Sequence, residues 1–115
     1  MNVEKKTLEA QEIILKDVNG TVQGSLKAGD HGPTLSLLDG QGHTRLQLSV
    51  FMNDPVLRLF NERGKPVVGI LVVGEAAHVH MTDARTDDRV DLRATGEGGQ
   101  LLLTDIHGKS VCIKP

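Results

Sequence analysis

His78 and His80 stand two residues apart in a segment whose apolar residues alternate. On a strand that spacing sends both imidazoles to one face, as a pair of zinc ligands would be arranged. A structural zinc site takes four ligands, and no third or fourth donor follows at a diagnostic spacing. His31, His43 and His107 fall in or near turns and would reach the pair only through assembly. His78 and His80 are thus weak metal candidates, and the expectation is solvated histidines with no metal bound.

Asp83, Asp87, Asp88 and Asp91 crowd into TDARTDDRVD, and hard cations such as calcium want several oxygens of this kind. Arg85 and Arg89 are interleaved with them, and neither an EF-hand nor a GGxGxD solenoid pattern accompanies them. A charged hairpin tip is the simpler expectation. The glycine-rich TGEGGQ, Thr95 to Gln100, lacks the following helix that a phosphate-cradling loop needs. Ser25, Ser36, Ser49 and Ser110 lie outside any G-x-S-x-G elbow, and Cys112 is expected on the apolar face of the last strand, where a buried thiol is inert. No catalytic residue and no cofactor fingerprint emerges, so the expectation is that the protein is not an enzyme and carries no cofactor.

Composition narrows the partners further. The formal charge of −2 comes from 13 basic and 15 acidic residues spread along the chain, which provides no electrostatic footprint for nucleic acid or an anionic membrane. The only aromatic residues are Phe51 and Phe60, so platforms for stacking bases or sugars are nearly absent. The single cysteine allows no internal disulfide, and no segment resembles a signal peptide or a membrane span, so a soluble chain is expected.

The elements that would position these residues come from a repeat. Asp17, Asp39, Asn61, Asp83 and Asp105 recur every 22 residues, and Gly20, Gly42, Gly64 and Gly108 follow three later, with Thr86 in the fourth place. The units run 13–34, 35–56, 57–78, 79–100 and 101–115, behind an N-terminal extension of residues 1–12. Each opens with alternating apolar residues, as in Leu35 and Leu37 or Leu57 and Leu59, and period two means strand. The pairs Asn19-Gly20, Gln41-Gly42, Arg63-Gly64 and His107-Gly108 then mark a hairpin turn, after which a second alternating strand follows. A two-residue loop centred on these pairs, or a four-residue loop of the same parity, sets Leu37 opposite Leu46, Leu35 opposite Leu48, Leu59 opposite Val68 and Leu57 opposite Ile70. It also sets Lys16 opposite Gln23, Leu38 opposite Arg45 and Thr82 opposite Arg89 on a mostly solvated face. The recurring acid is expected to accept hydrogen bonds from the turn's own amides. Pro33 and Pro55 are expected to fix a second set of turns between units. In the extension, LEAQEIIL fits either the tail of a coiled coil or an early start to the first strand.

The fold class expected is all-β: five 22-residue hairpin repeats in an antiparallel meander of about ten strands, packed as a β-prism, sandwich or solenoid. The pattern L-x-D-x-x-G followed by an alternating strand resembles hairpin repeats of uncharacterised bacterial proteins and, more distantly, the YD repeats of Rhs-type shells. The tyrosine that precedes the aspartate in YD units is absent here. The resemblance covers Ile13 to the end, implies a bacterial or phage-associated structural protein, and transfers no functional residue.

A sheet with one apolar face needs something to cover it. PVVGILVVG is apolar on both faces, as are Ile13-Ile14-Leu15, Leu101-Leu102-Leu103 and Val111-Cys112-Ile113, and this pattern suggests strands sandwiched on both sides. The expectation is a homo-oligomer, with a trimer as the first guess, whose interface includes Val67, Val68, Ile70, Leu71, Val72 and Val73. The competing reading is a binding or adaptor module that captures a protein, peptide or apolar ligand on a sheet face or edge.

Overall fold

A computed structural model describes residues 4–115, in which every regular element is a β-strand. The strands are β1 (Glu12–Lys16), β2 (Val22–Gly29), β3 (Gly32–Leu38), β4 (Thr44–Phe51), β5 (Asp54–Phe60), β6 (Pro66–Val73), β7 (Ala76–Thr82), β8 (Arg89–Thr95), β9 (Gly98–Thr104) and β10 (Ser110–Ile113). They form one ten-stranded antiparallel sheet in strict sequence order, an open meander with β1 and β10 at its edges. Gln11 extends the first ladder by accepting a hydrogen bond from the Ala28 amide at 2.9 Å, so the end of LEAQEIIL leads into the strand. The first three residues of the extension lie outside the described residues.

The pairing sets all the alternating apolar residues on one face. One row across the sheet reads Leu15, Gly24, Leu37, Leu46, Leu59, Val68, Met81, Val90, Leu103, Val111. The next reads Ile13, Leu26, Leu35, Leu48, Leu57, Ile70, Val79, Leu92, Leu101, Ile113. Leucine therefore meets leucine as the alternation predicts, and the opposite face carries Ser25, Ser36, Gln47, Arg58, His80 and Asp91 in register.

The loops that achieve this differ from expectation. At three tips the recurring residue heads a three-residue loop: the Asp17 amide donates to Thr21 O, and the Gly20 amide donates back to Asp17 O, with Gly20 at φ +83°. The same bonds recur at Asp39 and Asn61. Alone, such a loop would slip the register by one residue and turn the leucines to the wrong face. A second irregularity cancels the slip. Leu15 faces Gly24 while Lys16 faces Val22, so Gln23 bulges out, and Arg45 and Val67 bulge likewise. Lys16 and Leu38 consequently face Val22 and Thr44, not Gln23 and Arg45. The tip without a glycine takes the four-residue alternative, with the Asp83 amide donating to Asp88 O, and there Thr82 does face Arg89.

The last hairpin has the three-residue loop and no compensating bulge. Its sequence is shifted to match, since Val111 and Ile113, and not Cys112, fall opposite Leu103 and Leu101. Cys112 is therefore exposed on the other face, opposite Leu102, which corrects its placement among buried apolar residues.

At the other end of the hairpins the turns are two residues long. Met52 and Asn53, at φ +49° and +75°, have the two positive values of a type I′ turn. Pro33 and Pro55 do not make these turns. They sit inside β3 and β5 opposite Ala28 and Val50. Ala28 gives its amide to Gln11 on the other side, so proline opposite it costs no bond between β2 and β3.

Candidate assembly surface

The turns absorb most of the residues that might have done chemistry. Asp17, Asp39, Asn61 and Asp105 each use one side-chain oxygen to accept two backbone amides, for Asp39 those of Gln41 at 2.9 Å and His43 at 3.0 Å. The His43 amide above all, with the Gln41 amide and the nearby Arg45, holds Asp39 below the ordinary carboxylate range. The bulged Arg45 also donates from Nε to Phe60 O at 2.9 Å, tying one hairpin tip to the next.

The acidic stretch is dispersed in the same way. Asp83 accepts from the Arg85 side chain and from the amides of Arg85 and Thr86, and the Arg85 guanidinium foremost lowers it to about 2. Asp87 takes the Lys65 ammonium at 2.9 Å, which holds its carboxyl below the usual range. Asp88 accepts the Thr86 hydroxyl at 2.8 Å. The Thr95 to Gln100 stretch places Gly96 and Glu97 in a two-residue turn between β8 and β9.

His78 and His80 do share a face, opposite Arg93 and Asp91 on β8. Among the described residues, no three His, Cys, Asp or Glu side chains come together as a set of metal donors. His31 packs edge-on to Phe51, with ring centroids 5.2 Å apart, and the Nδ1 of His43 lies 3.7 Å from Asp39 Oδ2. His107 sits in the last tip, where its amide donates to Asp105. No helix of the described residues is long and apolar enough to cross a membrane.

What the fold does build is an uncovered apolar surface. Among the described residues no hydrophobic side chain is buried, and Leu48, Ile70 and Leu92 are 47%, 44% and 44% exposed at the middle of their strands. The two residues that are buried, Gly24 and Gly69, have no side chain at all. The molecule exposes 9027 Å², against about 6,100 Å² for a compact protein of its mass. Its radius of gyration is 18.6 Å, where about 13 Å is typical of this length. Among the described residues no second layer turns the sheet into a sandwich, and Ile13, Ile14 and Leu15 are all exposed.

The six residues expected at an interface divide between faces. Val68, Ile70 and Val72 lie in register with the apolar rows, whereas Val67 is the bulged residue and Leu71 and Val73 alternate onto the opposite face with His78 and Ala76. Near the C-terminal end the apolar face carries a shallow, open depression of about 620 Å³ lined by Ile70, Val72, Val79, Leu92, Leu101 and Ile113. The alternating leucines predicted the face. The bulges that keep it in register were missed, and their signal was the mismatch between a D-x-x-G turn and the parity of the flanking leucines.

No protein-family model, curated protein or solved structure significantly matches this chain.

Proposed function

We propose that the protein is a non-enzymatic structural module that assembles with copies of itself by burying the apolar faces of its sheets together, with three chains forming a β-prism. The observation that carries this reading is the pair of apolar rows that cross all ten strands, interrupted only at Gly24, with none of the described residues above them. A sheet of this kind gains stability only when that face leaves water, at about 25 cal/mol for each Å² removed. The excess surface over a compact chain is of the size that obligate subunits bury. Among the described residues, the Asx-type turns, ten short strands and short connections between them suit a role that consists in shape and rigidity. The bacterial origin implied by the D-x-x-G resemblance belongs to the same proposal.

The open depression near the C-terminal end of the apolar face supports a second reading, in which a protein, a peptide or an apolar ligand is captured there. Light scattering on the eluting peak of a sizing column separates the two. A closed oligomer that dissociates on Leu48→Lys or Leu57→Lys supports self-assembly. A monomer at micromolar concentration would overturn it and favour capture of a different molecule.

A further inference from the structure

We infer that copies of the chain also join end to end, with β10 of one pairing antiparallel with β1 of the next. This rests on the self-assembly proposed above but concerns a different surface, the two sheet edges. In an antiparallel ladder alternate residues turn both backbone groups toward the same neighbour. The Asp105 amide bonds Lys109, so Lys109, Val111 and Ile113 face β9 and leave Ser110, Cys112 and Lys114 facing outward. The Ala28 amide bonds Gln11, so Gln11, Ile13 and Leu15 face β2 and leave Glu12, Ile14 and Lys16 outward.

One register satisfies both edges. It sets Cys112 against the second copy's Ile14, with Val111 beside its Leu15 and Ile113 beside its Ile13. Each of the two apolar rows ends at these residues, so both rows then continue across the seam without a step. On the opposite face the same register brings Lys114 to the second copy's Glu12, an opposite-charge pair. The missing bulge of the last hairpin is what makes this possible, because it moves Val111 and Ile113 into the rows. Pairing two β10 edges would leave Lys114 without a carboxylate opposite it and both β1 edges bare. Pairing two β1 edges would leave both β10 edges bare. The head-to-tail contact uses every edge and is heterologous, generating a ring or an open filament.

The test is oxidation of the full chain carrying Leu15→Cys and Val111→Cys in a Cys112→Ser background, followed by a non-reducing gel. The two positions lie on opposite edges of one sheet, so any bond between them joins different molecules. Expected is a ladder extending beyond the dimer, absent with Leu15→Cys or Val111→Cys alone and absent when Val111→Cys is replaced by Ser110→Cys. A dimer from either single variant would mean like edges pair and would overturn the inference. Oligomers seen by light scattering without a ladder would overturn it too, while sparing assembly through the apolar face; monomers throughout would remove both. Since a cysteine could disturb the rows, Ile14→Pro in the otherwise unaltered chain is a second check. It removes only an outward-facing amide, and should stop growth beyond the closed unit while leaving the strand content by circular dichroism unchanged. Growth that persists in this variant would overturn the edge pairing.

Discussion

The imidazole of His80 lies across the backbone of Gly69, its partner on the neighbouring strand, and occupies the space a Cβ there would need. Gly69 is buried although the sheet has a single layer, because the ring serves as its cover. A cross-strand ring that shields a glycine is a known way of restoring the packing that glycine forfeits. The H-x-H pair thus has a structural role for one of its members.

Gly69→Ala is accordingly expected to be mild. The methyl collides only with the end of an exposed side chain that can swing away, so the cost is below about 1 kcal/mol. Gly24→Ala is the harsher change, because its Cβ would come within 2.7 Å of Ser36 O, a backbone atom locked in the β2–β3 ladder. Overpacking against an immovable neighbour costs about 1–3 kcal/mol. Paired denaturant titrations check the order; equal destabilisation would show that the His80 ring is not free to move.

Asn61 stands where the other hairpin tips carry aspartate, and its side-chain oxygen accepts the amides of Arg63 and Lys65 at 3.0 Å each. Asn61→Asp keeps that oxygen and should leave stability nearly unchanged. Asn61→Ala strands two amides and should cost about 1 kcal/mol, measured as a lower denaturation midpoint.

The lowered carboxylates predict a pH response at one tip. Asp83, held at about 2 mainly by the Arg85 side chain, binds its proton less readily in the folded chain than its ordinary value of 3.8. The unfolded chain therefore takes up the proton first as pH falls, and the turn's contribution is intact above about 4 and lost as pH drops toward 2. The carboxyl carbon shift of Asp83, followed by NMR, should titrate near 2 and move up toward 3.8 in Arg85→Ala.

The sheet itself was legible because period-two alternation survives wherever the same face is apolar, from Leu35 and Leu37 to Leu101 and Leu103. The Asx turns were legible because an acid before a glycine has few other uses. The loop length was not, since the alternation records only net parity: a three-residue loop with a bulge at Arg45 leaves Leu37 opposite Leu46 just as a two-residue loop would. Nor was Cys112, whose face depends on whether that bulge is present in the last hairpin. The two-sided apolar segments were legible as exceptional but not as exposed, because a sequence shows that Ile14 and Val73 are apolar and not what stands above them.

The bulges supply the last prediction. Val67 is one residue too many in β6, and it exists to offset the odd loop at 62–64. Deleting Val67 while keeping the Asn61 turn leaves Phe60 opposite Pro66 and Leu59 opposite Val68, the arrangement without a bulge that Thr104, Ser110, Leu103 and Val111 have in the last hairpin. This deletion should therefore leave the strand signal by circular dichroism and the assembly nearly unchanged. Deleting Pro66 together with Val67 sets Val68 opposite Phe60 and Ile70 opposite Arg58, so every later side chain of the strand faces the wrong side. Loss of assembly and of strand signal in the double deletion, but not the single one, is the expected outcome. Equal damage from both would mean that the bulge itself, and not its parity, supports the fold.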